Sequence, residues 1–243
     1  IAVSCNTWFL KSYLSMLSNT QKYGTKEKAV TTWWEYMTSM GLGGPLGIDM
    51  AGGKGGLVAN VNYLSRRYKN QWEPKTIMWA GMGQGDITVT PLQLCNLAAT
   101  IANRGFFFTP HIHKSADWAP LPSRFLTPRQ TKVPPYIYTR VIEGMRLAVT
   151  KGTATVLKGT TYPVCGKTGT AENAGKDHSV FIGFAPMDEP KIAISVYIEH
   201  GGFGADVAAP IAGLVMEKYL KGKLSPRSQA MAKRIERINT MDK

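Results

Sequence analysis

Val164-Cys165-Gly166-Lys167-Thr168-Gly169-Thr170-Ala171-Glu172-Asn173 is the stretch on which the reading of this chain turns. The apolar pair Val164 and Cys165 leads into residues whose alternation reads as a β-strand. Side chains alternate across a strand, so Lys167 and Gly169 fall on one face and Thr168 and Thr170 on the other. Gly169 weakens the strand and marks close approach by another backbone or by a ligand. Downstream, residues 174–177 form a turn and His178–Ala185 alternates as a second strand ended by Pro186. Lys191–Glu199 is a third, with Ile192, Ile194, Val196 and Ile198 on one face. The spacing predicts an antiparallel meander. The apolar run Ala205–Leu220 then reads as a long helix covering that sheet.

Helices dominate upstream. Thr7–Leu17 carries a broad apolar face, and Thr25 caps a second helix that runs to Met40 and stops at Gly41. Asn19–Thr25 between them reads as a polar connection. Gly41–Gly56 holds eight glycines and a proline in sixteen residues, which predicts a mobile loop. Val61–Arg67 forms a short helix. Thr90, with Pro91 at the first helical position and Gln93 completing a capping box, opens a helix to Asn103. Phe106–Phe108 with Ile112 suggests a short strand, Lys114–Pro134 reads as irregular, Pro135–Thr150 as a helix and Thr153–Leu157 as one more helical turn. The class is α+β, an antiparallel sheet flanked by helices.

At 243 residues and 44% hydrophobic the chain suits one large domain with a substantial core, or two small ones. The net charge of +13 favours acidic surroundings, but no helix-turn-helix, zinc-finger or aromatic RNA-binding pattern supports a nucleic-acid partner. An anionic bilayer surface or a cell wall fits as well. Cys5, Cys95 and Cys165 have no disulfide or metal spacing and read as small buried hydrophobes. His111 and His113 alternate without a third ligand nearby, so no metal is assigned. No cofactor motif is present, and Gly81–Asp86 lacks the Lys-Ser/Thr of a phosphate loop. No run approaches the roughly 20 apolar residues of a membrane span.

Lys-Thr-Gly accompanies Ser-x-x-Lys and a Ser-x-Asn type motif in penicillin-binding proteins and β-lactamases. Ser4-Cys5-Asn6 fits the Ser-x-Asn form. Gly81-Met82-Gly83-Gln84-Gly85-Asp86, Thr90-Pro91-Leu92-Gln93-Leu94, Gly152-Thr153-Ala154 and Asp177-His178-Ser179 leading to Phe181-Ile182-Gly183-Phe184-Ala185-Pro186 extend the match. The chain resembles the transpeptidase domain of class B penicillin-binding proteins of the elongation type, from Ile1 to about Leu220.

That resemblance implies a transpeptidase-type fold over residues 1–220, incomplete at its N-terminal side, and a basic tail over 221–243. It implies peptidoglycan D,D-transpeptidation through a serine acyl-enzyme, with stem peptides ending in D-Ala-D-Ala as substrates and β-lactams as inhibitors. Expected partners are a membrane glycosyltransferase and the missing upstream part of the same domain. The expected place is the bacterial inner membrane, with the domain facing the periplasm. Ser4 would relay a proton to the departing amine, and Asn6 would hold the lysine of the missing Ser-x-x-Lys segment and the substrate amide. Lys167 would supply a positive field, Thr168 and Thr170 would bind the terminal carboxylate, and the Thr170 N–H would serve the oxyanion. Gly169 would let substrate lie along the strand. Trp8 either walls the cleft or packs in a core, and His178 either supports Lys167 or Glu172 or is structural. The tail either touches headgroups or is a solvated helix.

No serine in the 243 residues is followed by lysine three positions later. Thr25/Lys28 and Thr155/Lys158 have the spacing with threonine but not the placement, so the chain is expected to begin downstream of the nucleophile. A serine β-lactamase or D,D-carboxypeptidase is the alternative enzyme, and a non-catalytic penicillin-sensing or scaffold module the alternative from another class. The third strand, Lys191–Glu199, is expected to show an unpaired edge.

Overall fold

The structure, a computed structural model, describes residues 1–115 and 119–238. Sixteen helices and strands are present among them: α1 (Asn6–Leu17), α2 (Thr20–Tyr23), α3 (Lys26–Ser39), β1 (Leu57–Val58), α4 (Val61–Arg67), β2 (Ile87–Thr88), α5 (Pro91–Ala102), β3 (Phe106–Phe107), α6 (Ser123–Leu126), β4 (Arg129–Gln130), α7 (Pro135–Lys151), β5 (Cys165–Ala171), β6 (His178–Ala185), β7 (Ile192–Ile198), α8 (Ala208–Lys221) and α9 (Pro226–Ile235), with 3-10 turns at Met78–Met82 and Thr155–Leu157. None of these helices is long and apolar enough to cross a membrane. Contacts divide the chain into two compact units. One comprises Ile1–Ser4, Leu94–Arg104 and Pro135–Lys243, and the other Cys5–Gln93 and Gly105–Pro134.

The first unit is built on the antiparallel meander β5-β6-β7. Its register sets Lys167 opposite Ile182 and Thr168 opposite Phe181, which in turn faces Val196. Directly opposed residues share a face, so the expected split of Lys167 and Gly169 from Thr168 and Thr170 holds. Phe181 and Val196 join Val149, Leu157, Val164, Ala208, Ala209, Ala212 and Met216 in the core. The alanines let α8 lie close to the sheet. Val207, which precedes α8, offers no side-chain cap. Buried Ser179 of β6 supplies the missing acceptor, taking the Ala208 N–H at 3.0 Å and donating to the Phe203 carbonyl at 3.0 Å. The helix therefore starts at Ala208, three residues later than the apolar run suggests.

β7 pairs only with β6, and β5 likewise has a free outer edge among the described residues. Val215 and Tyr219 of α8 are exposed. Within the tail Pro226–Ile235 forms α9, capped by Ser225 and resting on α8. Its Arg227 donates to the Lys158 carbonyl at 3.1 Å.

In the second unit α1 lies on the 3-10 turn Met78–Met82 and on α3, around a core of Tyr13, Leu17, Ala29, Val30, Leu64, Trp72 and Ile77. Asn19 caps the short helix α2 where the sequence reads as a plain connection. The irregular 114–134 segment contains α6 and β4, while part of it, 116–118, lies outside the described residues. Thr90 and Gln93 form the expected reciprocal cap, with Thr90 N–H to Gln93 Oε1 at 3.0 Å and Gln93 N–H to Thr90 Oγ1 at 3.2 Å.

Gln93 does more than cap. Its side-chain amide donates to the carbonyls of Gly41, Gly43 and Gly44 at 3.3, 3.3 and 2.9 Å, and the residue is 1% exposed. The glycine-rich loop is thereby tied down at its start. At its end a Cβ on Gly56 would stand 2.0 Å from the Thr88 carbonyl oxygen. Here glycine serves close packing rather than freedom. Gln93→Leu keeps the volume but orphans these carbonyls, and we expect it to destabilise the fold by about 2 kcal/mol. A urea titration showing a lower midpoint at unchanged slope checks this.

Candidate active site

The site assembles around the Lys167 ammonium. β5 carries Lys167 along the sheet edge, where its Nζ donates to Ser4 Oγ at 2.7 Å and to the Thr168 carbonyl. No carboxylate pairs with Lys167 among the described residues. Burial therefore pushes its pKa below the ordinary 10.5. Ser4 reaches it from a tight turn in which the Ser4 N–H donates to the Ile1 carbonyl at 3.2 Å. The turn places Ser4 in the left-handed region, at φ 51°. A non-glycine residue there carries backbone strain, which the neighbouring contacts must hold.

Thr168, 8% exposed, shares a hydrogen bond with Thr153, Oγ1 to Oγ1 at 2.6 Å. Two hydroxyls hold two protons. Their mutual bond uses one, which leaves one for a bound anion. Thr170 follows two residues on, on the same face and opposite Ser179. Gly169 answers the question its sequence poses. A Cβ on it would press on Val180 at 3.3 Å, and Gly204 lies so close that its own Cβ would stand 2.4 Å from the Gly169 and Val180 carbonyl oxygens. Another backbone is what comes near.

The structure thus brings Ser4, Lys167 and Thr168 together, with Gly169 and Thr170 next along the same strand. Asn6 and Trp8 belong to the other unit. Asn6 is exposed in the first turn of α1, and Trp8 is 61% exposed and set edge-on to Phe9. Trp8 is therefore not a core tryptophan. His178 accepts the His200 N–H at 3.1 Å and lies against Tyr197, a structural role.

The cysteines divide. Cys165 is buried, its thiol pushed up to about 12 by desolvation, and Cys95 is half-buried. Cys5 is exposed at the head of α1, contrary to its reading as a buried hydrophobe, because the helix start holds it outside. His111 and His113 each spend a ring nitrogen on a main-chain carbonyl, of His113 and Ala119 respectively. The residue that motif reading missed as part of the site is Thr153. Its only signal was the Gly-Thr-Ala run, which does not say what the hydroxyl meets.

A half-buried lysine bonded to a serine, on a strand with a free outer edge and beside a threonine hydroxyl pair, is a donor set suited to an anion. The penicillin-binding protein transpeptidase domain model matches residues 1–217. The chain belongs to that family.

Peptidoglycan D,D-transpeptidase MrdA of Haemophilus influenzae is 30% identical over 211 residues, covering 78% of this chain and 32% of that protein. MrdA of Acinetobacter baumannii is 30% identical over 234 residues, covering 87% and 33%. The chain thus spans about a third of the length of these relatives. Among solved structures, PBP2 of Pseudomonas aeruginosa in complex with WCK 5153 superposes with a TM-score of 0.76 at 31% identity, covering 91% of this chain and 47% of that one. The imipenem acyl-enzyme of penicillin-binding protein A from M. tuberculosis gives 0.67 at 25%, covering 90% and 46%. The expected α+β transpeptidase fold is therefore the one found.

The lowered Lys167 pKa fixes a sign. Below its folded value the lysine is charged in both states, and burying that charge costs stability. As pH rises from there toward 10.5, only the unfolded state stays protonated and the cost is relieved. Lys167→Met removes it at every pH. The variant is expected to unfold at higher denaturant at neutral pH, by about 0.5–2 kcal/mol, and to lose the rise in stability above the lowered pKa. Equilibrium unfolding across that pH range checks both.

Proposed function

We propose that this chain supplies the proton-handling and carboxylate-binding half of a peptidoglycan D,D-transpeptidase that works through a serine acyl-enzyme and is acylated by β-lactams. The observation that carries the reading is the 2.7 Å hydrogen bond between Lys167 and Ser4 on a Lys-Thr-Gly strand. The names of the relatives and the drug-bound structures of their kin support it.

In this reading a serine hydroxyl attacks the penultimate D-Ala carbonyl, forming the acyl-oxygen bond as its proton passes to the lysine of its own Ser-x-x-Lys segment. The C–N bond to the last D-Ala then breaks, and the departing amine takes a proton through Ser4. An acceptor amine reverses these steps and regenerates the serine. Lys167 holds the terminal carboxylate by charge, with Thr168 and Thr170 donating hydroxyl protons to it. The Thr170 N–H faces the oxyanion, and the free outer edge of β5 takes the substrate backbone as an added strand. Motif resemblance assigns Asn6 to the substrate amide and Trp8 to the cleft wall.

The nucleophile in this reading lies on a Ser-x-x-Lys segment outside residues 1–243. Residues 1–220 act as catalytic domain, and α9 of the basic stretch after 220 as a solvated helical extension. The working place is the periplasmic face of the inner membrane, beside a membrane glycosyltransferase. A structure of PBP2 from Helicobacter pylori in complex with MreC shows that a protein of this fold assembles with others.

Intact mass of the native gene product, and of any polypeptide that copurifies, after incubation with benzylpenicillin tests the proposal. An adduct on the serine of a Ser-x-x-Lys segment is expected, and Ser4→Ala slows its formation by about 10²-fold or more. An adduct on a residue within 1–243 would overturn the assignment of the nucleophile. No adduct at all would leave the scaffold reading instead.

A further inference from the structure

The motif names Ser4 but not what holds it in place. Three contacts dock the residues just before it onto the C-terminal half of α7 and the turn that follows. A Cβ on Gly152 would stand 2.0 Å from the Ala2 carbonyl oxygen, so the approach of that carbonyl requires glycine. One residue on, the Thr153 N–H donates to the same oxygen at 3.1 Å. Two helical turns earlier, a Cβ on Gly144 would meet Cβ and Cδ1 of Ile1 at 3.0 Å. Ile1 and Ala2 are thus seated on α7, and the turn from the Ile1 carbonyl to the Ser4 N–H carries Ser4 out toward Lys167.

Thr153 also faces the strand, through its 2.6 Å hydroxyl contact with Thr168. Its main chain therefore holds the Ser4 arm while its side chain holds β5. We propose that the Gly152–Thr153 turn is a positioning device that sets the Ser4 arm in register with the Lys167–Thr168 strand. Gly152 admits the Ala2 carbonyl, and Thr153 bonds both pieces at once. Neither residue hydrogen-bonds the Lys167 ammonium, so both act through others. A shift of about 1 Å in such a constellation is enough to cost about 10²-fold in rate, and the strained left-handed Ser4 has no helix or strand of its own to fix it. The inference rests on Ser4 and Lys167 as the proton-handling pair and adds what holds them together.

The test reads Lys167 directly and needs no turnover. The rate of Lys167 acylation by a small amine-reactive ester is followed against pH, site by site, by mass spectrometry. Ser4→Ala sets the benchmark for a Lys167 that has lost its partner. Gly152→Ala and Thr153→Val are expected to move the profile in the same direction as Ser4→Ala, with a change of about threefold or more at neutral pH, the scale of one lost hydrogen bond. Thr153→Ser, which keeps both bonds, should stay at wild type. Met216→Ala, which empties a fully buried position in the core on α8, controls for simple loss of packing. It should lower the melting temperature without moving the profile.

Wild-type profiles for both Gly152→Ala and Thr153→Val, beside a displaced Ser4→Ala, would overturn the positioning role and leave the proposed function standing. A Ser4→Ala profile that does not move would overturn the Ser4–Lys167 pairing, and the proposed function with it. If Gly152→Ala does not fold, Thr153→Val against Thr153→Ser decides alone.

Discussion

Keeping a lysine charge half out of water, without a carboxylate to pair it, is the constraint on which this site depends. Burial works against the ammonium, and what it receives in return is a serine oxygen and a backbone carbonyl. Neutral acceptors compensate only in part for lost hydration. The charge is therefore left with unspent attraction for an anion. Everything around it keeps that arrangement from relaxing. β5 is fixed by seven register pairs to β6, and β6 is fixed beneath α8 by the two bonds of Ser179. Were α8 or β6 loose, the lysine could rotate into water and the site would lose its field.

Much of this frame was legible where the signal is local. His178–Ala185 has the boundaries its alternation and Pro186 suggest, and Val61–Arg67 forms the helix its residues favour. The capping box at Thr90 and Gln93 follows from spacing alone. What escaped sequence reading lies in partners far along the chain. Nothing local says that the Gln93 amide reaches carbonyls some fifty residues upstream, or that Ser179 caps a helix 29 residues downstream. Both are polar residues at inward positions, a signal that a partner exists without saying which. The two-residue ladders β1–β2 and β3–β4 are too short to show any period.

The candidate site divides the same way. Lys167, Thr168 and Thr170 were legible because a strand imposes alternation on a recognisable motif. Ser4 was legible by motif only, and its left-handed turn was not, since serine gives no hint of positive φ. Thr153 was not legible as a site residue, because its contact with Thr168 exists only once α7 has docked against β5. Sequence reading took Gly41–Gly56 for slack throughout, whereas its two ends are packed and hydrogen-bonded. Abundant glycine can mean free backbone or backbone packed to the limit, and composition does not tell them apart.

The fit of Gly204 against the Lys-Thr-Gly strand bears on how this protein can change over generations. Its backbone fills the space beside the Gly169 and Val180 carbonyls so fully that any side chain at 204 would drive into main chain, which cannot swing aside as a rotamer can. The strand is walled on that side by atoms that every amino acid shares. Heritable variation can remodel the solvent-facing rim of the site, but the backing of β5 offers evolution almost no room.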